Sequence, residues 1–400
     1  MSEVDRLLAA FESGELLRPS AEVANFVDLA RAIASLCGVE GVEVTPGAAA
    51  LAERIGPSEH LVFVLADGVG MALLETMPPE AFLPRHLAME LRAVFPSTTA
   101  TALTTLATAE WPARHCVSGW WTYLREIDGA ATILPFVRRS DETSLTDLGV
   151  TPEQAFPLPS LIPRMQRDVL SLTPARITET VYSWYWTGGT SRHGYRSLRE
   201  AVDVAIRHIA RSSGPTYTYL YMPRVDAAAH EHGTGAREVR AELVALDQQI
   251  ALLATELAGR ARIVVSADHG HLDVAASQRH LIEAGGAIAG ALRAPPSGDP
   301  RVMYFPLRDD AKEGFPAIIA EHFGEFAFGL SVDDAETLEL FGPGTLAPLM
   351  RERLGDFITI TSGADVIGYG PERACRKALA KASHHSGLTP QEMRIPLVIA

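Results

Sequence analysis

The chain has 400 residues, 47% of them hydrophobic, and a formal net charge of −14. That apolar fraction is enough for a large buried core and excludes a disordered chain, while the acidic excess argues against a nucleic-acid-binding surface, which needs clustered Lys and Arg to displace counterions. No stretch reaches the roughly 18 apolar residues of a membrane span, so no membrane partner is expected.

The opening MSEVDRLLAAFESGELLRPS is acidic and helical in pattern and lacks the basic start and apolar run of a secretion signal. Three well-separated cysteines, Cys37, Cys116 and Cys375, have no metal spacing and suit reduced thiols, so the expected compartment is the cytoplasm. Residues 1–55 read mostly as helix, with a turn or strand near Gly38–Pro46.

The first chemical signal is LVFVLADGVG, residues 61–70. A run that is apolar on both faces and too short for a helix suits the interior of a parallel sheet. Asp67 ends it beside Gly68 and Gly70, and ligands of such sheets collect beyond the carboxyl ends of the strands. Alone, an Asp there merely starts a turn. A helix-like GMALLETM follows, and then VFPSTTATALTTLAT, residues 94–108, in which Ser97, Thr98 and Thr99 are cap-type residues ahead of a small, Thr-rich helix. A hydroxyl at a helix start feels the positive end of the dipole, although the plain reading is a cap.

Residues 110–200 are less periodic and rich in Pro, Trp and Arg, and they read as loops and helices decorating one face of the sheet. A helix over Leu198–Arg211 leads into a second buried strand, TYTYLYM, and straight on to PRVDAAAHEHG. Asp226 and His230 there are one helical turn apart, so both can aim at one point, and carboxylate with imidazole suits zinc or a related divalent ion. After a helix over Ala236–Leu257, ARIVVSADHGHLD repeats the first pattern: an apolar run ends at Asp268 and His269, with His271 and Asp273 as further candidates. Residues 281–375 alternate strand and helix and read as a small α+β insertion over the sheet's edge. The chain then runs through ASHHSGLTPQEM to a last strand candidate, IPLVIA, which returns the paired histidines to the other strand ends if it joins the same sheet. Walker-type glycine loops, CxxC clips and Gly-x-Ser-x-Gly elbows are missing.

Taken in order, VLADGVG, FPSTTATALTTLATAEWPARH, VDAAAHEHG, SADHGH and HHSGLTPQEM resemble the alkaline phosphatase superfamily, most closely its type I phosphodiesterase/nucleotide pyrophosphatase branch. The resemblance implies an α/β fold with a mostly parallel central sheet flanked by helices. It implies a catalytic core over residues 1–280 and 376–400, with the small α+β insertion between them. It also implies two divalent metals, usually zinc. Asp67, Thr99, Asp268 and His269 would hold one ion, and Asp226, His230 and His385 the other, His385 rather than His384 because of its spacing to Leu-Thr-Pro.

Thr99 would be the nucleophile, made acidic by its metal and phosphorylated in passing. The expected activity is hydrolysis of phosphodiester or pyrophosphate bonds in a small phosphorylated substrate. The alternatives are a phosphonate hydrolase or phosphomonoesterase on the same core, or a catalytically silent metalloprotein.

Ala100 stands where the branch carries a base-stacking aromatic residue, and Gly119 and Trp120 stand where it carries an Asn donor. Tyr221 matches the other aromatic wall, and Trp120 with the Trp-rich segments 111–121 and 184–186 can rebuild an apolar pocket. No cluster of Arg or Lys that would clamp a monoester's second charge is identifiable, which favours diesters. Oligomeric state is left open.

Overall fold

The computed structural model describes residues 2–400. Its centre is a seven-stranded sheet in the order Leu87–Arg92, Arg394–Ile399, Ala261–Ser266, His60–Ala66, Thr216–Met222, Asp168–Pro174, Ser191–Tyr195. His60–Ala66 pairs in parallel with Thr216–Met222 on one side and Ala261–Ser266 on the other, and Thr216–Met222 is buried at every position. These central strands are covered on both faces by helices, which is why their burial does not alternate along the chain. Arg394–Ile399 runs antiparallel to both neighbours, so it begins at the edge where the parallel strands end. The chain just before it is thereby delivered to that edge.

The flanking helices follow their sequence signals. Asn25 caps Phe26–Leu36 by accepting from the Asp28 N–H, and Ser197 caps Leu198–Arg211 by accepting from Glu200. The longest helix, Arg237–Glu256, lays Val239, Leu243, Leu246, Ile250 and Leu253 against the sheet at helical spacing. The turn expected near Gly38–Pro46 forms without a strand.

Two readings of the middle of the chain are corrected. Asp168–Pro174 and Ser191–Tyr195 are parallel strands that complete one side of the central sheet, not surface decoration. Polar residues interrupt both, Ser171 and Thr173 in the first and Ser191, Arg192 and His193 in the second, so neither stands out as an apolar run. A second, antiparallel seven-stranded sheet joins strands from 297–361 to Trp121–Leu124, Gly129–Thr132 and Val137–Arg138. The α+β region read at 281–375 therefore shares its sheet with residues 121–138, through pairing of Gly298 with Trp121. Among the described residues no helix is long and apolar enough to cross a membrane.

Candidate active site

Three neighbouring parallel strands each release an acidic residue at the same edge. Asp67 follows His60–Ala66 directly, and Asp268 follows Ala261–Ser266 by two residues. Asp226 lies in the first turn of helix Arg224–His232, with His230 on the same face one turn on. The strands are packed side by side, and their ends set the three carboxylates around one point. Gly68 turns the chain there at φ +73°, and a Cβ on it would stand 2.6 Å from His271 Nε2 and 3.0 Å from Asp226 Cβ. Only glycine fits that position.

Thr99 is the first residue of helix Thr99–Thr108 and is buried, with its Oγ1 3.2 Å from His269 Nε2. His269 Nε2 is in turn 3.5 Å from Asp67 Oδ1 and 3.4 Å from Asp268 Oδ2. On the other side, His230 Nε2 is 3.4 Å from Asp226 Oδ1 and 3.2 Å from His385 Nε2. The structure thus brings together Asp67, Thr99, Asp268 and His269, and beside them Asp226, His230 and His385. His384 pairs with Leu272 in a two-residue strand and falls outside these groups.

The imidazole tautomers follow from the backbone. His269 Nδ1 lies 3.0 Å from Gly270 O, His230 Nδ1 2.8 Å from Ser383 O, and His385 Nδ1 3.0 Å from Ser97 O. A carbonyl only accepts, so each ring donates from Nδ1 and presents a bare Nε2 lone pair. Burial, with the neighbouring imidazoles, holds His385 well below its ordinary value. Burial also lowers His269, and brings His230 down to about 3. Neutral imidazoles with inward lone pairs are the form that ligates metals.

The carboxylates complete the pattern. Burial, then Asp268 and Asp226, push Asp67 well above the usual range, although the Tyr221 hydroxyl donates to its Oδ2. Burial also pushes Asp226 up, but His230, His271 and His385 overcome it and hold Asp226 low. Asp268 Oδ1 accepts from the Gly68 and His269 N–H groups at 3.1 Å, which leaves Oδ2 free. Asp67 Oδ1 and Asp268 Oδ2 are buried without any hydrogen-bond partner, a costly state unless a cation completes them. Two lone-paired Nε2 atoms at 3.2 Å make the same demand at His230 and His385. The oxygen and nitrogen donors form three overlapping groups, Asp67–Asp268–His269, Asp226–His269–His385 and Asp226–His230–His271, that fit divalent ions of the zinc type.

His271 is a site residue that the motif comparison passed over. Its Nε2 is 2.9 Å from Asp226 Oδ1 and its Nδ1 3.1 Å from Ser383 Oγ, so it ties the Asp226 carboxylate to the segment carrying His385. The signal was present in Asp-His-Gly-His, two residues past His269. Asp273 instead accepts from the Thr234 N–H and hydroxyl and closes a loop.

The cleft over Thr99 has two arms. One is a mainly apolar cavity of about 420 Å³ walled by Leu103, Tyr182, Trp186, Tyr219 and Tyr221. Tyr221 therefore offers its ring to the cavity while its hydroxyl is held by Asp67. Trp184 is 52% exposed and stacks under Arg192 instead, and Ala100 is buried inside its helix. Trp120 borders both arms. The second arm, about 480 Å³, runs past Thr98, Asp299 and His385 to Lys377 and Lys381. Near Gly119 and Trp120, where the resemblance implies an Asn donor, the second sheet inserts a carboxyl. Asp299 accepts from the Trp120 N–H at 2.9 Å and the Thr98 hydroxyl at 3.3 Å, and burial pushes it up to about 7.

The sequence profile of the type I phosphodiesterase / nucleotide pyrophosphatase family matches residues 61–289, the span from the strand before Asp67 to just beyond the Asp268 motif. No curated protein matches the chain significantly. Human ectonucleotide pyrophosphatase / phosphodiesterase 5 is similar in fold at a TM-score of 0.62 and 13% identity, covering 85% of this chain and 87% of its own. The murine protein is similar at 0.62 and 12%, over 84% and 87%. Phosphonoacetate hydrolase from Sinorhizobium meliloti is similar at 0.60 and 18%, over 85% and 89%. At these identities the structures establish the fold alone, an α/β core with a central sheet flanked by helices. The profile over more than half of the sequence establishes the rest: the chain belongs to the type I phosphodiesterase/nucleotide pyrophosphatase family of metal-dependent phosphoester hydrolases.

Proposed function

We propose that the protein hydrolyses phosphodiester or pyrophosphate bonds through a phosphorylated Thr99, with Asp67, Thr99, Asp268 and His269 holding one divalent ion and Asp226, His230 and His385 a second, zinc being the expected metal. The observation that carries this reading is the placement of the Thr99 hydroxyl. It stands at a helix start, 3.2 Å from an imidazole lone pair, at the junction of the donor cluster and an apolar cavity. A binding protein has no need for a nucleophile there.

Bound divalent ions would lower the acidity barrier of the hydroxyl and neutralise charge on the transferring phosphoryl group. The chain's own residues do the rest. Helix Thr99–Thr108 fixes Oγ1 on a rigid element and lends it the positive end of its dipole. Attack by Oγ1 on phosphorus forms the Thr99–phosphoryl bond and breaks the bond to the leaving oxygen, whose substituent lies in the cavity against Leu103, Trp186 and Tyr221. Water then cleaves the phosphoryl-threonine and restores the hydroxyl. The apolar walls favour an aryl or other flat substituent. The murine relative has been solved with AMP, and the bacterial hydrolase with phosphonoformate, which supports a small phosphorylated substrate.

The test compares Thr99→Ala with Thr98→Ala on bis-nitrophenyl phosphate and the matching monoester. The first variant should abolish turnover while keeping most metal. The second should retain turnover, and the wild type should prefer the diester. Activity confined to a monoester or a phosphonate would move the assignment to those substrates on the same residues, and full activity in Thr99→Ala would remove the nucleophile.

A further inference from the structure

The sequence contains only three lysines against thirty-two arginines, counted directly along the chain: Lys312, Lys377 and Lys381. Lys312 lines neither arm of the cleft and is paired with Asp309 and Asp356, each at 2.9 Å. The other two both line the second arm. They sit four residues apart, Lys377 in the last turn of helix Arg373–Leu379 and Lys381 just after it, and both are exposed at the arm's mouth. Among the described residues neither forms an ion pair.

Their position is fixed by the site itself. Lys381 is followed by Ala382, whose N–H donates to the His230 carbonyl at 2.8 Å, and by Ser383, whose carbonyl faces His230 Nδ1. The Lys381 carbonyl accepts from Arg279 at 3.0 Å. The backbone carrying the ammonium is thus anchored on both sides while the side chain is left without a partner. In a chain of net charge −14, whose third lysine is paired with two carboxylates, two unpaired ammonium groups beside the reaction centre are a local reversal of sign. A lysine is also a compact, mobile point charge, suited to following an anion through a reaction, where arginine's planar fork is not.

We propose that Lys381, assisted by Lys377, binds a second anionic group of the substrate, a phosphate or carboxylate on the far side of the reacting phosphorus from the apolar cavity. The substrate class is then a phosphoryl compound of two unlike ends: an apolar substituent against Leu103, Trp186 and Tyr221, and an anion in the lysine arm. This deepens the proposed function and rests on Thr99 marking the reaction centre. It also revises the expectation that no basic cluster serves the site, because Lys377 and Lys381 lie more than 275 residues from Thr99 in sequence and meet it only through the fold.

Binding and turnover test this separately. Calorimetry with metal-loaded Thr99→Ala protein compares phosphonoacetate with ethylphosphonate, which lacks the carboxylate. Phosphonoacetate should bind the more tightly, and Lys381→Met should remove roughly tenfold of that advantage, the scale of one charge-assisted hydrogen bond. Lys381→Arg should restore part of it, and Lys377→Met should remove less. In the Thr99-intact enzyme, the kcat/KM ratio of a carboxylated aryl diester to its uncharged counterpart should fall with Lys381→Met by a similar factor, mainly through KM. An equal affinity for the two phosphonates, or a preference that survives Lys381→Met and the double lysine variant, would overturn the proposal while leaving Thr99 chemistry in place. Failure of both phosphonates to bind would overturn the reading of the cleft and this inference with it.

Discussion

Arg301→Met should be among the most destabilising single changes in the protein, and it should reach the segment that carries His385. Arg301 and Glu392 are fully buried and form a bidentate pair, Nε to Oε1 at 2.6 Å and Nη2 to Oε2 at 3.0 Å. Arg301 lies between two strands of the second sheet, and Glu392 in the turn before Arg394–Ile399, so the pair bolts the two sheets together. Glu392 also accepts from the Gly387 N–H at 2.7 Å and the Thr389 hydroxyl at 2.6 Å, bracing the turn that follows His385. Methionine keeps the length of the stem but strips two charge-assisted hydrogen bonds from a carboxylate left in the core. The Gly387 and Thr389 donors still serve it, so the loss should be about 3–5 kcal/mol, the range for breaking one side of a buried pair. Equilibrium urea unfolding of wild type, Arg301→Met, Glu392→Gln and the double variant gives the coupling directly. The double variant should be more stable than the sum of the single losses allows, by about 2 kcal/mol or more. A loss in Arg301→Met under about 1 kcal/mol, or strict additivity, would refute the reasoning.

Buried His115, between the Thr105 hydroxyl and the Val117 N–H at 3.1 Å each, is brought down to about 3 by burial. The unfolded chain therefore takes up its proton first. Its effect is absent above pH 6.5 and destabilises as pH falls toward 3, at roughly 1.4 kcal/mol per unit. Urea midpoints from pH 7 to 4 should fall less steeply in His115→Asn, and equal slopes would reject the assignment. Gly68→Ala, forced into a left-handed turn with its methyl against His271 Nε2, should lower metal content and activity together while far-ultraviolet dichroism stays native. Zinc added to chelator-stripped protein should raise the melting temperature, with about 2.7 kcal/mol gained at a hundredfold excess over Kd, and Asp226→Asn should blunt the rise; no shift in the wild type would remove the metal site. His385→Ala should lose more metal and activity than His384→Ala, measured by elemental analysis and rate; equal small losses would take the C-terminal segment out of the site.

Much of the architecture was readable because the central strands are buried on both faces. Mostly apolar runs announced His60–Ala66 and Ala261–Ser266, the Thr- and Tyr-rich Thr216–Met222 read as a third buried strand, and an acidic residue at or a few residues past the end of each marked the site's edge. The same logic failed for Asp168–Pro174, which carries Asp168, Ser171 and Thr173 and looks like loop. The second sheet was hidden for another reason. Its seven strands come from two separate stretches of chain, and no local pattern reports that Gly298 will lie beside Trp121. Candidate metal donors came from motifs, whereas Asp299, Lys377 and Lys381 have no motif. What places them near Thr99 is strand pairing and helix docking, and those contacts are long in sequence.

The last strand, Arg394–Ile399, is not added at the rim of the central sheet but inserted between Leu87–Arg92 and Ala261–Ser266. A chain emerging from the ribosome can pair His60–Ala66 with both parallel neighbours once Ser266 has been made, yet Leu87–Arg92 has no partner strand in the sheet until Arg394–Ile399, some three hundred residues after it. Until then Ala261–Ser266 presents an open edge, and the donors at positions 67, 99, 226, 230, 268 and 269 lack the one at 385. Closing the sheet and completing the donor set are therefore one late, high-contact-order event, which would make it the slow step of folding. During synthesis, a partly made chain would have most of its donor groups but no finished cluster until the sheet closes.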